Sequence, residues 1–346
     1  MMKLQEFIYE LPKELIAQHP LVPRDRARLM VVERAPQRIR HDVFSNIGRY
    51  LTERSLIVLN DSKVIPARVW AKRQKTGGRV EILLLKRLPG GYSYEALIRP
   101  LKKIAIDEKL IFDGNGICAQ LKSAERKIIR FNRNDVTAYL RKKGHMPLPP
   151  YIKRMDTPLD RQQYQTVYAR HEGSVASPTA GLHFTKPLLA KLKGLGHRIV
   201  RVTLHINHAT FAPVREEDIR RHRMHEESYK ISQETLRALE NARVHGRKIV
   251  AVGTTSCRVL ETLAAQERER SRPFPASLQG ETNIFIYPGF QFKMTDVLIT
   301  NFHLPKSTLL MLVYAFGGCE LMKKAYAEAI ERRYRFYSYG DCMMII

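Results

Sequence analysis

The 346-residue chain has four cysteines, one tryptophan and no apolar run approaching the ~18 residues of a transmembrane helix. No two cysteines form a C-x-x-C pair, so neither a zinc site nor a disulfide framework is indicated. The N-terminal MMKLQEFIYELP lacks the basic and then apolar pattern of a secretory signal. We therefore expect a cytoplasmic protein with reduced thiols.

Acidic residues are also scarce, because 34 Asp and Glu stand against 59 Lys and Arg, a net charge of +25. Such a charge attracts polyanions at long range, which favours a nucleic acid as partner. Solubility alone remains an alternative explanation for part of it.

The middle of the chain reads as short strands separated by glycine turns, as in RVEILLLKRL-PGG-YSYEALIRP and KLIF-DGNG-ICAQL. This pattern predicts a small antiparallel β-barrel domain at residues 62–149. The segment has 20 Lys or Arg and 7 Asp or Glu, a surplus of 13 positive charges.

The flanking segments alternate strands and helices. LIVLN (56–60) and RIVRVTLHI (198–206) read as strands, and 232–246 reads as a helix with Ser232 as its N-cap. Residues 247–265 and 296–318 each read as strand, polar turn and helix. We therefore predict an α/β fold, with a largely parallel sheet in a discontinuous catalytic domain (1–61 and 150–346) that the barrel interrupts.

Two polar loops, GTTS (253–256) and TNFHLPKS (300–307), leave the predicted ends of buried strands. In an open α/β sheet such loops line the ligand crevice, and the helix starts that follow favour polar or anionic ligands. A capped helix behind a solvated loop is the alternative reading of each loop.

The histidines cluster in four stretches around His183, His205, His225 and His303. H-x-x-H at 222–225 has helical spacing, but no acidic or third ligand accompanies it, which argues against a metal. Proton transfer or hydrogen bonding to a polar ligand suits imidazole better, and some of these histidines are expected to be structural. GNGICA (114–119) fits a dinucleotide motif only formally, since it is a hairpin turn, and neither a P-loop nor a hydrolase triad is present.

Nine stretches together resemble the S-adenosylmethionine:tRNA ribosyltransferase-isomerase family of the queuosine pathway. They span nearly the whole chain: LNDSKVIPAR (59–68), MPLPPYI (146–152), YQTVYA (164–169), PTAGLHFT (178–185), MHEESYKIS (224–232), VGTTSCRVLE (252–261), GETNIFIYPGF (280–290), TNFHLPKSTLLMLV (300–313) and YRFYSYGD (334–341).

The resemblance implies an α/β domain with an inserted β-barrel. It implies that S-adenosylmethionine is consumed as a ribosyl donor, with no metal and no other cofactor, and that the acceptor is tRNA carrying 7-aminomethyl-7-deazaguanine at the wobble position. The product would be epoxyqueuosine in tRNA, with adenine and methionine released. We expect a monomer that does not bind membranes.

Polar side chains around a crevice suffice for this chemistry, and a sulfonium can rest on aromatic faces. The expected catalytic residues are His183, His205, His225, Glu226 and His303. The expected substrate-binding residues are Thr179, Gly181, Thr254, Thr255, Ser256, Glu281, Phe285, Tyr287, Asn301, Lys306, Ser307 and Thr308.

The chain departs from the family pattern at Asn207 and Ala209, where glycines are expected, and at Asn283, where an aspartate is expected. An amide is no base, so we place no proton transfer at Asn283. Two other functions remain open: a methyltransferase, although its glycine-rich donor loop is missing, and a non-enzymatic RNA-binding protein, which would not account for the polar loops.

Overall fold

The structure is a computed structural model that describes residues 2–114, 116–206, 213–269 and 277–346. Its strands are, in chain order, β1 (Arg28–Glu33), β2 (Arg38–Val43), β3 (Leu56–Asn60), β4 (Ser62–Val64), β5 (Arg68–Arg73), β6 (Arg79–Arg87), β7 (Ser93–Arg99), β8 (Lys109–Phe112), β9 (Cys118–Ser123), β10 (Ile128–Phe131), β11 (His171–Ser174), β12 (Arg198–Leu204), β13 (Glu227–Ser232), β14 (Ile249–Val252), β15 (Ser277–Thr282), β16 (Val297–Asn301) and β17 (Cys342–Ile345).

The α-helices are α1 (Thr137–Lys143), α2 (Asp160–Gln163), α3 (Lys186–Gly194), α4 (Gln233–Val244), α5 (Thr254–Glu269), α6 (Thr308–Gly317) and α7 (Cys319–Glu331). Short 3₁₀ helices occupy Leu4–Phe7, Lys13–Leu15, Arg24–Arg26, Phe44–Arg49, Leu101–Lys103, Thr179–His183 and Ile219–Arg221. No helix in the described ranges has both the length and the apolar character that crossing a bilayer requires.

Nine strands form the main sheet in the order β15-β13-β12-β3-β14-β16-β17-β1-β2. The central strands β12, β3, β14 and β16 are mutually parallel, whereas the pairings β16–β17, β1–β2, β12–β13 and β13–β15 are antiparallel. Every residue of β3, β14 and β16 is buried, which explains their unbroken apolar sequences.

Each face of the main sheet carries its own core. Alternate residues Leu56 and Val58 of β3 pack on one face with side chains of α4 to α7. Ile57 and Leu59 pack on the other face with Leu188 of α3. Helices on both faces of a sheet with a parallel centre confirm the predicted α/β class.

The predicted barrel is confirmed as a closed antiparallel sheet in the order β10-β7-β6-β5-β8-β9. Its strands alternate buried and more exposed residues, as in β7 and β8, and the inward side chains form a separate core that includes Ile82, Leu110 and Phe131. The glycine-rich segment between β8 and β9 is a hairpin connection, as predicted, with Gly114 at φ +90°.

The barrel strands lie between β3 and β12 in the sequence. The segment that leads into the barrel and the segment that leads out of it lie side by side. β4 follows β3 directly and pairs in parallel with β11, which returns from the barrel, with His171 opposite Ser62. The domain division at residues 62 and 149 stays a prediction.

Candidate functional site

A cleft opens where β14 and β16 end, lined by both polar loops that the sequence singled out. Thr254 and Thr255 begin α5, and the loop from Asn301 to Ser307 leads into α6. Gly253 joins the two loops because its N–H donates to the Ile299 carbonyl (2.8 Å); its φ of +88° suits glycine. The cleft holds about 610 Å³, including its open mouth.

His303 is held rigidly at the wall of this cleft. Its N–H donates to Tyr326 Oη (3.0 Å), and Tyr9 Oη donates to its carbonyl oxygen. The ring Nε2 lies 2.6 Å from Thr300 Oγ1. Burial lowers the pKa of His303 to about 3, so the imidazole is neutral near pH 7 and acts as a hydrogen-bonding group.

Asn301 connects the cleft to a second histidine. Its Nδ2 donates to His183 Nε2 (3.1 Å) and to the Tyr337 carbonyl (3.2 Å). His183 lies just behind the lining, and burial first, then the charges of Arg24 and Arg335, lower its pKa to about 3. Asn301 is only 2% exposed, and its Oδ1 atom is buried without a hydrogen-bond partner.

Two further hydroxyls are available to a ligand. Thr255 Oγ1 accepts from Asn60 Nδ2 (3.2 Å), which leaves its own proton free to donate. Ser177 Oγ is buried without a partner. Unsatisfied buried polar atoms cost about 1–3 kcal/mol each, so Ser177 and Asn301 mark positions where a polar ligand would recover free energy.

Among the described residues the cleft lining includes no Asp, Glu, Lys or Arg side chain. The first N–H groups of α5 and α6 have no intrahelical partner, and the helix dipoles place partial positive charge there. Ser307 Oγ accepts from the Leu310 N–H (3.1 Å) and so caps α6. Tyr151 and Tyr337, with ring centroids 4.7 Å apart, supply an aromatic wall.

The structure places the predicted site residues in two groups. One group lines the cleft or touches its lining: Thr179, Thr254, Thr255, Asn301, His303 and Ser307 line it, and His183 contacts Asn301. The other group lies outside the lining: Gly181, His205, His225, Glu226, Ser256, Glu281, Phe285, Tyr287, Lys306 and Thr308.

Several members of the second group have structural contacts. Ser256 Oγ donates to the Val252 carbonyl (2.8 Å). A Cβ at Gly181 would lie 2.0 Å from Tyr168 Oη, so this glycine permits close packing. The Lys306 backbone, at φ +60°, donates to the Phe7 carbonyl and accepts from Val214.

Other members of the second group also have contacts away from the cleft lining. Phe285 and Tyr287 contact each other, with ring centroids 5.1 Å apart, and Glu281 is exposed 3.7 Å from Lys86 of the barrel. His225 and Glu226 are exposed. The neighbouring Glu227 is the buried carboxylate, paired with Arg258. Asn283 is exposed, and Asn207 and Ala209 lie outside the described residues.

Sequence reasoning missed Tyr151, Ser177 and Tyr337 as lining residues. Tyr151 and Tyr337 lie within the quoted stretches MPLPPYI and YRFYSYGD, and Ser177 directly precedes PTAGLHFT. The three residues therefore lie in or next to stretches that carry the family resemblance. No local sequence pattern, however, shows that these distant segments meet in the fold. No cluster of three or more potential metal ligands occurs in the part of the chain that the structure describes.

Comparison with known proteins agrees with the resemblance noted in the sequence. Residues 4–345 match the family model described as "Queuosine biosynthesis protein". Proteins named S-adenosylmethionine:tRNA ribosyltransferase-isomerase are 50% identical in Thermotoga petrophila and 48% identical in Caldanaerobacter subterraneus, each over 100% of both chains. A crystal structure of S-adenosylmethionine tRNA ribosyltransferase from Thermotoga maritima is 39% identical with a TM-score of 0.56, covering 99% of this chain and 100% of that one. The chain therefore belongs to the queuosine biosynthesis protein family, as its motifs predicted.

Proposed function

We propose that this chain is an S-adenosylmethionine:tRNA ribosyltransferase-isomerase. It transfers the ribosyl part of S-adenosylmethionine to the aminomethyl nitrogen of 7-aminomethyl-7-deazaguanine at the tRNA wobble position. The ribosyl group is isomerised to give epoxyqueuosine, and adenine and methionine are released. The family match and the names of the relatives support the reaction class.

The cleft at the ends of β14 and β16 is the structural observation that carries the proposal; we call it the neutral cleft because its described lining has no Asp, Glu, Lys or Arg side chain. A ribosyl donor presents hydroxyl groups that need acceptors and donors in fixed positions. Asn301 Oδ1 and Ser177 Oγ are buried without partners, and Thr255 Oγ1 has a proton to donate. These three atoms are suited to bind ribose hydroxyls, with His303 beside them.

The charged parts of the donor also find complementary groups. The α5 and α6 N-termini favour the methionine carboxylate. The rings of Tyr151 and Tyr337 offer the sulfonium a cation–π contact. Because the described lining carries no Asp, Glu, Lys or Arg side chain and His303 is neutral, neither end of the zwitterionic amino acid meets a like-charged side chain.

The surplus of positive charge suits the second substrate. The proposed acceptor is tRNA, a polyanion, and basic side chains such as Lys102, Lys103, Arg126 and Lys127 are exposed on the barrel. An anticodon base must leave its stack to react, and a loop already partly unstacked lowers that cost. We further propose that the protein acts as a monomer and consumes S-adenosylmethionine without another cofactor.

The test is incubation with S-adenosylmethionine and tRNA that carries the 7-aminomethyl-7-deazaguanine precursor, followed by mass analysis of the nucleosides and the small products. Epoxyqueuosine in tRNA with equimolar adenine and methionine is the expected result. A methylated nucleoside with S-adenosylhomocysteine would identify a methyltransferase instead. Binding of tRNA without any released adenine would indicate a binding protein.

A further inference from the structure

A second cleft lies beside β12 and contains residues that the neutral cleft does not use. It holds about 600 Å³, including its open mouth, and we call it the basic cleft; its lining includes Asp61, Arg170, His171, Arg201, Lys230 and Glu234. Arg170, Arg201 and Lys230 come from three separate segments of the chain. The fold therefore brings three cations to one hollow.

Among the described residues none of these cations forms an ion pair with a carboxylate, although two acids, Asp61 and Glu234, also line the basic cleft. Asp61 accepts from Thr203 Oγ1 (2.7 Å) and lies 3.8 Å from His171 Nε2. Glu234 lies 3.9 Å from Arg198, outside the lining. The basic cleft thus has three cationic side chains against two carboxylates, a surplus of one positive charge with His171 counted as neutral.

One donor atom of the basic cleft is shielded from water and has no hydrogen-bond acceptor. Arg201 Nε is buried without a hydrogen-bond partner, whereas the backbone carbonyl of Arg201 accepts from Thr235 Oγ1 (2.9 Å). A buried guanidinium nitrogen without an acceptor is costly, so an anionic oxygen at this position would be bound favourably.

The basic cleft and the neutral cleft meet at adjacent residues. Asn60, at the end of β3, donates to Thr255 of the neutral cleft (3.2 Å), and the next residue, Asp61, lines the basic cleft. A polynucleotide held in the basic cleft would thus be anchored close to the strand end that supports the donor site.

We propose that the basic cleft binds a phosphodiester of the polynucleotide substrate, with Arg201 as the central ligand and Arg170 and Lys230 beside it. This inference rests on the proposed function, since it assumes a tRNA substrate. Neutralising one such contact weakens binding and lowers the slope of log affinity against log salt by roughly 0.7–0.9.

The test measures tRNA dissociation constants at several salt concentrations for the full chain and for Arg201→Gln and Lys230→Gln. Each variant is expected to bind tRNA roughly fivefold more weakly at low salt, with a shallower salt slope. The KM for S-adenosylmethionine should stay unchanged, which a merely unfolded variant would not show. Lys324→Gln, an exposed lysine on α7, is the matched control and should behave as wild type.

Two outcomes would overturn the inference. In the first, both variants bind tRNA with wild-type affinity and slope. In the second, Arg201→Gln abolishes binding of inorganic phosphate but leaves tRNA binding intact, which would assign the basic cleft to a small free anion. Failure of the proposed function is distinguishable, because the wild-type chain would then release no adenine in the presence of precursor tRNA.

Discussion

Asn301 Nδ2 lies 3.1 Å from His183 Nε2, at the point where β16 ends. Because the amide donates, the neutral imidazole must accept through Nε2 and carry its proton on Nδ1. The same amide donates to the Tyr337 carbonyl (3.2 Å). One side chain thus fixes the ring of His183 and holds the C-terminal segment, while its own Oδ1 has no hydrogen-bond partner.

The first prediction concerns Asn301. Asn301→Ala removes the unpartnered Oδ1 together with the donor to His183, so the KM for S-adenosylmethionine should rise about 3- to 10-fold, the value of a net hydrogen bond or slightly more. Steady-state kinetics with tRNA saturating would measure this. Ser177→Ala removes only one unpartnered hydroxyl and should also raise KM without lowering stability. Unchanged KM in both variants would remove these atoms from the donor site.

The second prediction compares two residues of the same loop. His303→Ala should lower turnover by about 10²-fold, as expected when a positioned polar group at a reacting centre is lost, while the protein stays folded. Lys306 was also predicted to bind substrate, but its side chain is not part of the cleft lining, so Lys306→Ala should have the smaller effect. Single-turnover rates and thermal unfolding of both variants would test the order, and a larger loss in Lys306→Ala would contradict the geometry.

The third prediction is a pH dependence of stability. The pKa of His183 is about 3 in the folded protein, against an ordinary value of 6.5. Below pH 6.5 the unfolded chain therefore binds a proton that the folded protein does not, and the stability present above pH 6.5 is lost as the pH falls towards 3. The slope reaches about 1.4 kcal/mol per pH unit for each such group.

The variant His183→Gln separates the contribution of His183 to the pH dependence of stability from the contributions of other buried histidines. Urea unfolding of His183→Gln between pH 7.5 and about 5 should show a shallower loss of stability than the wild-type protein, because one protonation site is removed from the unfolded chain. Identical slopes for the two proteins would show that His183 titrates normally in the folded state.

The fourth prediction concerns Gly181, which the structure assigns to packing. Gly181→Ala should lower the free energy of unfolding by about 1–3 kcal/mol, because the added Cβ would lie 2.0 Å from Tyr168 Oη. In the double variant with Tyr168→Phe the closest atom is gone, so part of the stability should return. Denaturant titrations of the four proteins give the coupling. A neutral Gly181→Ala would contradict the assignment.

Local pattern predicted much of the fold. LIVLN (56–60) is β3, Ser232 caps α4 through the Thr235 N–H (3.2 Å), and both strand–turn–helix units appear where they were placed. The loops GTTS and TNFHLPKS meet because strands that are parallel neighbours end at the same edge. The predicted α/β class and inserted barrel were therefore recoverable from periodicity and turn residues.

Contacts between distant segments were not recoverable in the same way. β17 pairs with both β16 and β1, and this brings Tyr337 to the cleft although it lies 36 residues after Asn301. The sequence shows that Phe285 and Tyr287 are aromatic, but it does not show whether their rings line the cleft. Burial likewise decides that His303 is neutral, and burial is a property of the whole fold.

The pairing of β4 with β11 affects how the segment inserted between these two strands can change in evolution. The segments that enter and leave the inserted part lie side by side, with Glu172 opposite Lys63. Lengthening the inserted part therefore adds little closure entropy, because that cost grows only with the logarithm of length. The inserted segment can therefore be enlarged, shortened or replaced over evolutionary time without changing the strand order of the nine-stranded sheet.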